Sequence, residues 1–490
     1  MTEIATYLGP KGYSIKKEYL DIQEQHRIRK ELTVLPFVPK SSLSKPNPFP
    51  IYRESKKKLY VPKYYGFETY GIPDDNTVIP GDSIDLKFKG QLRDFQKPIV
   101  NKFVKHVGSS GGGLLEVPCG RGKTVMGLNI IAQLKTKTLI IVHKEFLLRQ
   151  WMERIQEFLP TARIGRIQGE ILDIDDKDIV MGMLQSLSMK EYPNSVFDSF
   201  GLTIIDEVHH IGAEVFSRAL FKIVTPYMLG LSATMDRKDN LSNVFKLFIG
   251  PVVHSEQRKG GDNVLVRSIN YYHDDEEFAT QVLNYKGQVH YSVMIKKLCE
   301  FNFRSEFILR VLKDLFEENP NQQIIVLGHN KSLLAYLHDA IQHRNIESVG
   351  YYVGGMKEKD LKITETKKII IATYAMAEEG LDIKTLTTLL MATPKTDVRQ
   401  AVGRILRQKH GTPLIIDVVD QHELFKRQWL KRKRYYKKQK YKIVSTDMDS
   451  YNKKEWTTLF ENGKIKKSKK KDAGIPQDKF LQGVCMIGDD

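Results

Sequence analysis

Cysteine is scarce in this chain: Cys119, Cys299 and Cys485 are its three, scattered over 490 residues. They are too few and too far apart for a disulfide framework or a zinc site, so a reducing intracellular compartment is expected. Long apolar runs are missing too. No stretch approaches the length that crosses a bilayer, and residues 1–11 lack the apolar core of a secretory leader, so neither a membrane nor export is expected. No repeat of solenoid period is visible. Acids are short relative to bases: 59 Asp and Glu against 76 Lys and Arg leave a net charge of +17, which points to a polyanionic partner. The chain is also too long for one core, and its 41% hydrophobic residues suffice to fold two or three domains.

What is present is concentrated in two stretches. Pro118-Cys119-Gly120-Arg121-Gly122-Lys123-Thr124 reads as a phosphate-cradling loop, because Gly111 to Pro118 looks like a glycine turn feeding a short strand and Val125 to Leu134 like the helix that follows. A strand, a glycine turn and a helix N-terminus aim several backbone N–H groups and the helix dipole at phosphate. The glycine that usually opens this pattern is replaced by Val117. Downstream, Ile204-Ile205-Asp206-Glu207-Val208-His209 is an apolar strand delivering two adjacent carboxylates, and the two stretches together suit a nucleoside triphosphate with its magnesium.

Hydropathy patterning supplies the organisation. Residues 1–86 are rich in proline, lysine and short aromatic runs and suggest a small strand-rich module of no legible function. From Leu92, buried-strand candidates (Thr138 to Val142, Ile179 to Met183, Leu202 to Ile205, Met228 to Leu231) alternate with amphipathic helices such as Phe146 to Phe158, which predicts a helix-covered parallel sheet over 87–256. The pattern lapses over 257–300, where Gly260-Gly261-Asp262 and Asp274-Asp275-Glu276-Glu277 suggest a linker. It resumes over 301–422 with five further strands. Residues 423–490 read as a basic aromatic segment followed by a partly disordered tail: between Lys426 and Lys442 ten bases and no acid fall in seventeen residues, interleaved with Trp429, Tyr435, Tyr436 and Tyr441. A solvated helix face is one reading. Nucleic-acid contact through Lys431, Arg432, Lys433, Arg434, Tyr435 and Tyr436 is the other, since phosphate pairing and base stacking need both residue types.

With the second sheet read, Gln400, Arg404 and Arg407 fall at helical spacing on one face. At this point the chain resembles superfamily 2 helicases from about Leu92 to Asp417. Leu92-Arg93-Asp94-Phe95-Gln96 resembles the adenine-reading Q motif, Val142 to Trp151 motif Ia, Gly182 to Ser186 motif Ic, Asp206 to His209 motif II and Ser232-Ala233-Thr234 motif III. Ile325 to Asn330 resembles motif IV, Thr373 to Asp382 motif V and Gln400 to Arg407 motif VI. Asp-Glu-Val-His and Gln400 resemble the DExH translocases. Within these, Leu229 to Arg237 and Ile415-Ile416-Asp417 resemble the xeroderma pigmentosum group B and phage recombination-helicase branch, and the loop and basic tail resemble transcript-release helicases of poxviruses and other large DNA viruses. In such helicases the loop without its opening glycine is usual.

The resemblance implies an α/β fold with two tandem RecA-like domains, an N-terminal module and a basic tail. It implies ATP and Mg2+ as cofactors. Arg93, Gln96, the loop from Val117 to Thr124, Gly380 and Asp382 would bind ATP, and Thr124 and Asp206 would hold the metal. Glu207 would polarise water, with Gln400, Arg404 and Arg407 completing the catalytic set from the other domain. His209, Ser232 and Thr234 would couple hydrolysis to movement, although Gln96 also fits a surface helix and Ser232 and Thr234 fit plain helix capping. An ATP-driven helicase or translocase is therefore expected, with DNA favoured over RNA and a monomer acting with transcription machinery, in a virion or viral factory if the chain is viral. A double-strand translocase, an RNA helicase and an ATP-gated clamp are the alternatives.

Overall fold

A computed structural model of the chain describes residues 5–35, 47–118, 120–208, 212–234, 242–256, 263–379, 381, 383–408, 411–461 and 464–465. The chain divides into two compact units, Met1–Arg258 with Glu378–Asp382, and Lys259–Ala377 with Ile383–Asp490.

The first unit begins with a five-stranded sheet in the order Arg53–Glu54, Lys58–Val61, Gly12–Lys16, Thr6–Gly9, Asp75–Asn76. Period-two alternation turns Leu8, Tyr13, Ile15, Leu59 and Val61 to one face, where all are buried. Helix Ile22–Glu31 closes that face through Ile28, and its start is capped by Asp21, which accepts from the Glu24 N–H at 2.7 Å. The following helix, Lys63–Tyr70, packs on helix Ser242–Ile249, and one apolar cluster runs from Leu8 to Ile249, so this module shares a core with the α/β sheet beside it. Lys63 is buried at that seam: its Nζ donates to the Pro226 carbonyl at 3.1 Å, and burial pulls its pKa down to about 8.

The α/β sheet of the first unit has eight strands in the order Ile171–Asp173, Ile164–Gln168, Ile179–Met183, Thr138–Val142, Leu202–Ile205, Tyr227–Ser232, Gly112–Glu116, Val252–Ser255. All neighbours are parallel except the first pair. Continuous apolar strands are what helices on both faces demand, and Thr138–Val142, Ile179–Met183 and Leu202–Ile205 are buried at every position.

The second unit carries a nine-stranded sheet in the order Val349–Tyr352, Ile369–Thr373, Ile324–Gly328, Thr388–Met391, Leu414–Asp420, Leu265–Tyr271, Lys442–Asp447, Thr457–Glu461, Lys464–Ile465, parallel up to Lys442–Asp447. Two expectations are corrected here. Residues 263–300 are not a linker: Leu265–Tyr271 lies inside the sheet between Leu414–Asp420 and Lys442–Asp447, and Phe278, Met294 and Leu298 are buried. The tail expected to be partly disordered also carries strands, because Lys442–Asp447, Thr457–Glu461 and Lys464–Ile465 extend the same sheet. The tail from 466 onward lies outside the described residues.

The basic aromatic segment is helix Glu423–Lys438, and a third correction concerns it. Phe425, Trp429, Arg432 and Tyr436 recur at three- and four-residue spacing and form its buried stripe. The Arg432 guanidinium meets both carboxylate oxygens of Asp417 at 2.7 Å and donates to the Lys395 carbonyl, while Tyr436 OH donates to Asp417 at 3.3 Å. Arg432 and Tyr436 are therefore core residues, and neither is available to a nucleic-acid strand. Lys431 and Arg434 are exposed, and Lys433 and Tyr435 are half-buried. Three residues further along the same strand, Asp420 takes a matching forked contact from Arg304, and both members are fully buried.

Removing one member of a buried pair strands the other's charge. Arg432→Ala should destabilise the second unit by about 3–5 kcal/mol, whereas Lys431→Ala next to it should stay within about 0.5 kcal/mol in denaturant unfolding. For Lys63 the sign runs with pH: the folded chain loses this proton near 8 and the unfolded chain near 10.4, so the unfolded state binds more protons between those values. Stability of the wild type relative to Lys63→Met should be flat below pH 8, then rise by up to about 3 kcal/mol by pH 10.4.

Candidate active site

In a parallel sheet every strand ends on the same edge, and in the first unit that edge gathers the candidate residues. Strand Gly112–Glu116 leads into the loop and helix Lys123–Leu134 leaves it. Gly120 and Gly122 adopt left-handed φ of 80° and 79°, a conformation that glycine takes without strain. A Cβ on Gly122 would also lie 2.5 Å from Gln96 Nε2. Gly122 is the N-cap and offers no side chain to the helix, so the first backbone N–H groups point toward the loop, as an anion site requires. Val117 is fully buried, and its N–H donates to the Ser232 carbonyl at 2.8 Å, which ties the loop to the neighbouring strand.

Gln96 is not a surface residue. Its Nε2 donates to the Arg121 carbonyl at 2.8 Å and its Oε1 accepts from the Arg93 N–H at 2.9 Å, so the amide braces the loop. The Arg121 guanidinium lies 4.2 Å from the Phe95 ring centroid and pairs with Glu256. Lys123, 9% exposed, reaches Glu207 Oε1 with its Nζ at 2.9 Å. Asp206 is buried beneath this pair, accepting from Trp151 Nε1 at 2.8 Å and from the Glu207 N–H at 2.9 Å. Glu207 itself sits at φ 49°, a left-handed conformation costly for a residue with a side chain. Burial first and the Glu207 charge second push the Asp206 carboxyl above its ordinary pKa. Two carboxylates sharing one lysine in a desolvated edge fit a further cation. Among the described residues no cluster of three or more His, Cys, Asp or Glu side chains could enclose a metal by itself. That donor set suits an ion completed by water and substrate phosphates.

Thr124, on the first turn of the helix, is half-buried. Ser232 is fully buried with its hydroxyl against the Thr234 carbonyl, and the Thr234 N–H donates back to that hydroxyl at 3.3 Å. Cys119, His209, Gly380 and Asp382 lie outside the described residues. In the second unit, Arg404 is 5% exposed and ends helix Arg399–Arg404, with Gln400 half-buried on it. Arg407 comes after that helix, so the expected single helical face carries Gln400 and Arg404 only. The Q-motif and motif Ia stretches contain Phe95 and Trp151 with no role expected of either, and Glu256 was not expected at the site. Trp151 reads in sequence as part of the apolar stripe of helix Glu145–Phe158, and only the need of a buried indole N–H for an acceptor hints otherwise.

If Gln96 braces the loop, Gln96→Ala leaves the Arg121 carbonyl and the Arg93 N–H without their partner. The first unit should lose about 1–3 kcal/mol of stability, and calorimetric titration with ATP should show a weaker affinity.

Residues 89–237 match the family model described as type III restriction enzyme, res subunit. "Putative ATP-dependent RNA helicase L396" of Acanthamoeba polyphaga mimivirus is 36% identical over 455 residues, which cover 90% of this chain and 86% of that one. "Putative helicase 161L" of Invertebrate iridescent virus 6 is 26% identical over 381 residues, covering 73% and 83%. "DNA 3'-5' translocase XPB2" of Sulfurisphaera tokodaii is 24% identical over 381 residues, covering 68% and 82%. A phosphate loop braced from a glutamine ahead of it, an Asp-Glu pair at the end of strand Leu202–Ile205 and a 36% identical relative that covers 90% of the chain lead to one assignment: the chain belongs to the ATP-dependent helicases.

Proposed function

We propose that the chain uses ATP with Mg2+ to translocate along nucleic acid, with DNA as the track, and that it works as a monomer in a reducing intracellular setting on or near transcribing complexes. The observation that carries this reading is the 2.9 Å pair of Lys123 Nζ and Glu207 Oε1 above buried Asp206, with the open helix N-terminus beside it. Lys123 would take the β- and γ-phosphates and leave Glu207 to polarise the attacking water. Thr124 and Asp206 would hold Mg2+, which neutralises the phosphate oxygens when bound. Arg404 and Arg407 of the second unit, with Gln400, would neutralise charge on the γ-phosphate, and His209, Ser232 and Thr234 would relay the change. Such an arginine contributes about a thousandfold or more in rate. Among the described residues no helix is long and apolar enough to cross a membrane.

The name of the mimivirus relative, an RNA helicase, favours a second reading in which RNA is the track. The name of the Sulfurisphaera relative, a DNA translocase, favours the first. Steady-state ATPase rates on matched DNA, RNA and hybrid duplexes separate them. Hydrolysis should be slow alone and stimulated most by DNA; strongest stimulation by RNA would move the track to RNA, and equal rates with and without nucleic acid would contradict the coupling. Glu207→Gln should retain ATP and lose about 10²–10⁴-fold in turnover, while Lys123→Ala should fail mainly in nucleotide binding.

A further inference from the structure

The N-terminal sheet has a second face that the motor chemistry does not use. Register places Tyr7, Ser14 and Tyr60 in one cross-strand row, opposite in direction to the buried set. Ser14 is fully buried between the two half-buried tyrosines, whose strands stand about 10 Å apart, two strand spacings, so the two tyrosines close over it and leave their outer sides to solvent. Each ring carries an ammonium. Lys11 Nζ lies 5.3 Å from the Tyr60 centroid, and Lys58 Nζ lies 4.7 Å from the Tyr7 centroid while donating to its hydroxyl at 3.2 Å. Lys16, opposite Lys58 in the next row, sits 5.6 Å from the ring centroid of Tyr19.

Acids are few on this face. Glu18 lies 3.7 Å from Lys16, and Asp75 stands opposite Tyr7 on the edge strand. Glu54 is engaged by Lys17 and Arg29, and Arg53, which shares the face, lies over the Phe221 ring. Among the described residues neither Lys11 nor Lys58 pairs with a carboxylate. The charge is therefore matched to an external polyanion, and the tyrosines are matched to flat, apolar groups carried by that polyanion.

We propose that this face binds single-stranded nucleic acid, with bases against Tyr7 and Tyr60 and backbone phosphates on Lys11, Lys58 and Lys16. Rings set two strands apart accept splayed bases, which a duplex keeps stacked inside. The site lies outside every nucleotide motif, so it would hold a strand whatever the nucleotide state. Only the identity of the polyanion rests on the function proposed above.

The test uses the full chain with fluorescent twelve-nucleotide oligothymidine and oligouridine, titrated over a range of salt. Lys11→Ala with Lys58→Ala should flatten the log–log salt slope by about 1.4, two contacts at about 0.7 each on single strands. Tyr7→Ala and Tyr60→Ala should each weaken binding about 5- to 150-fold with little change of slope, while Tyr7→Phe, which keeps the ring, should bind as the wild type does. Unchanged melting temperatures show that the sheet is intact. Iodouracil-substituted oligonucleotides should crosslink to Tyr7 or Tyr60. Wild-type binding that none of these substitutions alters overturns this inference alone. Absence of wild-type binding to either oligonucleotide also overturns this inference, while the functional reading stands or falls separately on the ATPase rates with duplexes. Competition by polyglutamate as strong as by oligonucleotide, with no tyrosine effect, makes the face an anion surface for acidic protein and overturns the assignment.

Discussion

The structure of the first unit depends on one constraint: in a parallel sheet all strands finish on the same edge, so polar groups that the core cannot accept are collected there. Gly112–Glu116 and Leu202–Ile205 are separated in the sheet by Tyr227–Ser232 alone, and their ends hold Lys123 and Glu207 at 2.9 Å although the two are 84 positions apart in sequence. Lys123 holds Glu207, and Asp206 beneath them accepts from Trp151 and from the Glu207 N–H, at the expense of a left-handed Glu207. Such an arrangement is compact but short of positive charge, a shortage that a nucleotide's metal would remedy. Binding and chemistry thus follow from where a parallel sheet leaves its loose ends.

The second unit shows the same constraint solved internally. Strand Leu414–Asp420 carries two aspartates into the core, and each is matched by an arginine brought from a helix, Arg432 from Glu423–Lys438 and Arg304 from Asn302–Glu318. Forked guanidinium–carboxylate geometry satisfies several donors and acceptors at once, which is what makes a buried charge tolerable. These pairs fasten both helices to the sheet and leave that strand's charge unavailable to any ligand.

Legibility in the sequence followed burial pattern. Thr138–Val142, Ile179–Met183 and Leu202–Ile205 are mostly apolar and buried throughout because helices cover both faces, and their limits coincide with those read from hydropathy patterning. Leu265–Tyr271 is equally internal, yet Arg267 and Asn270 interrupt it and glycines precede it, so it reads as linker. Lys442–Asp447 hides in the same way, behind ten bases that look like a tail. Arg432 and Tyr436 were legible as basic and aromatic but not as core, since their partner Asp417 sits on another element. The phosphate loop was legible from its glycines. Its bracing by Gln96, Phe95 and Glu256 was not, because those contacts join segments 25 and 135 residues away from Arg121.

The central claim is that ATP hydrolysis at this edge drives movement along nucleic acid. The most direct measurement is displacement of a fluorescent third strand from a DNA triplex by the full chain, followed in a single turnover. The account predicts displacement with ATP and Mg2+ and none with a non-hydrolysable ATP analogue or with Glu207→Gln. Equal displacement with ATP and with the analogue would contradict it and leave an ATP-gated clamp in place of a motor.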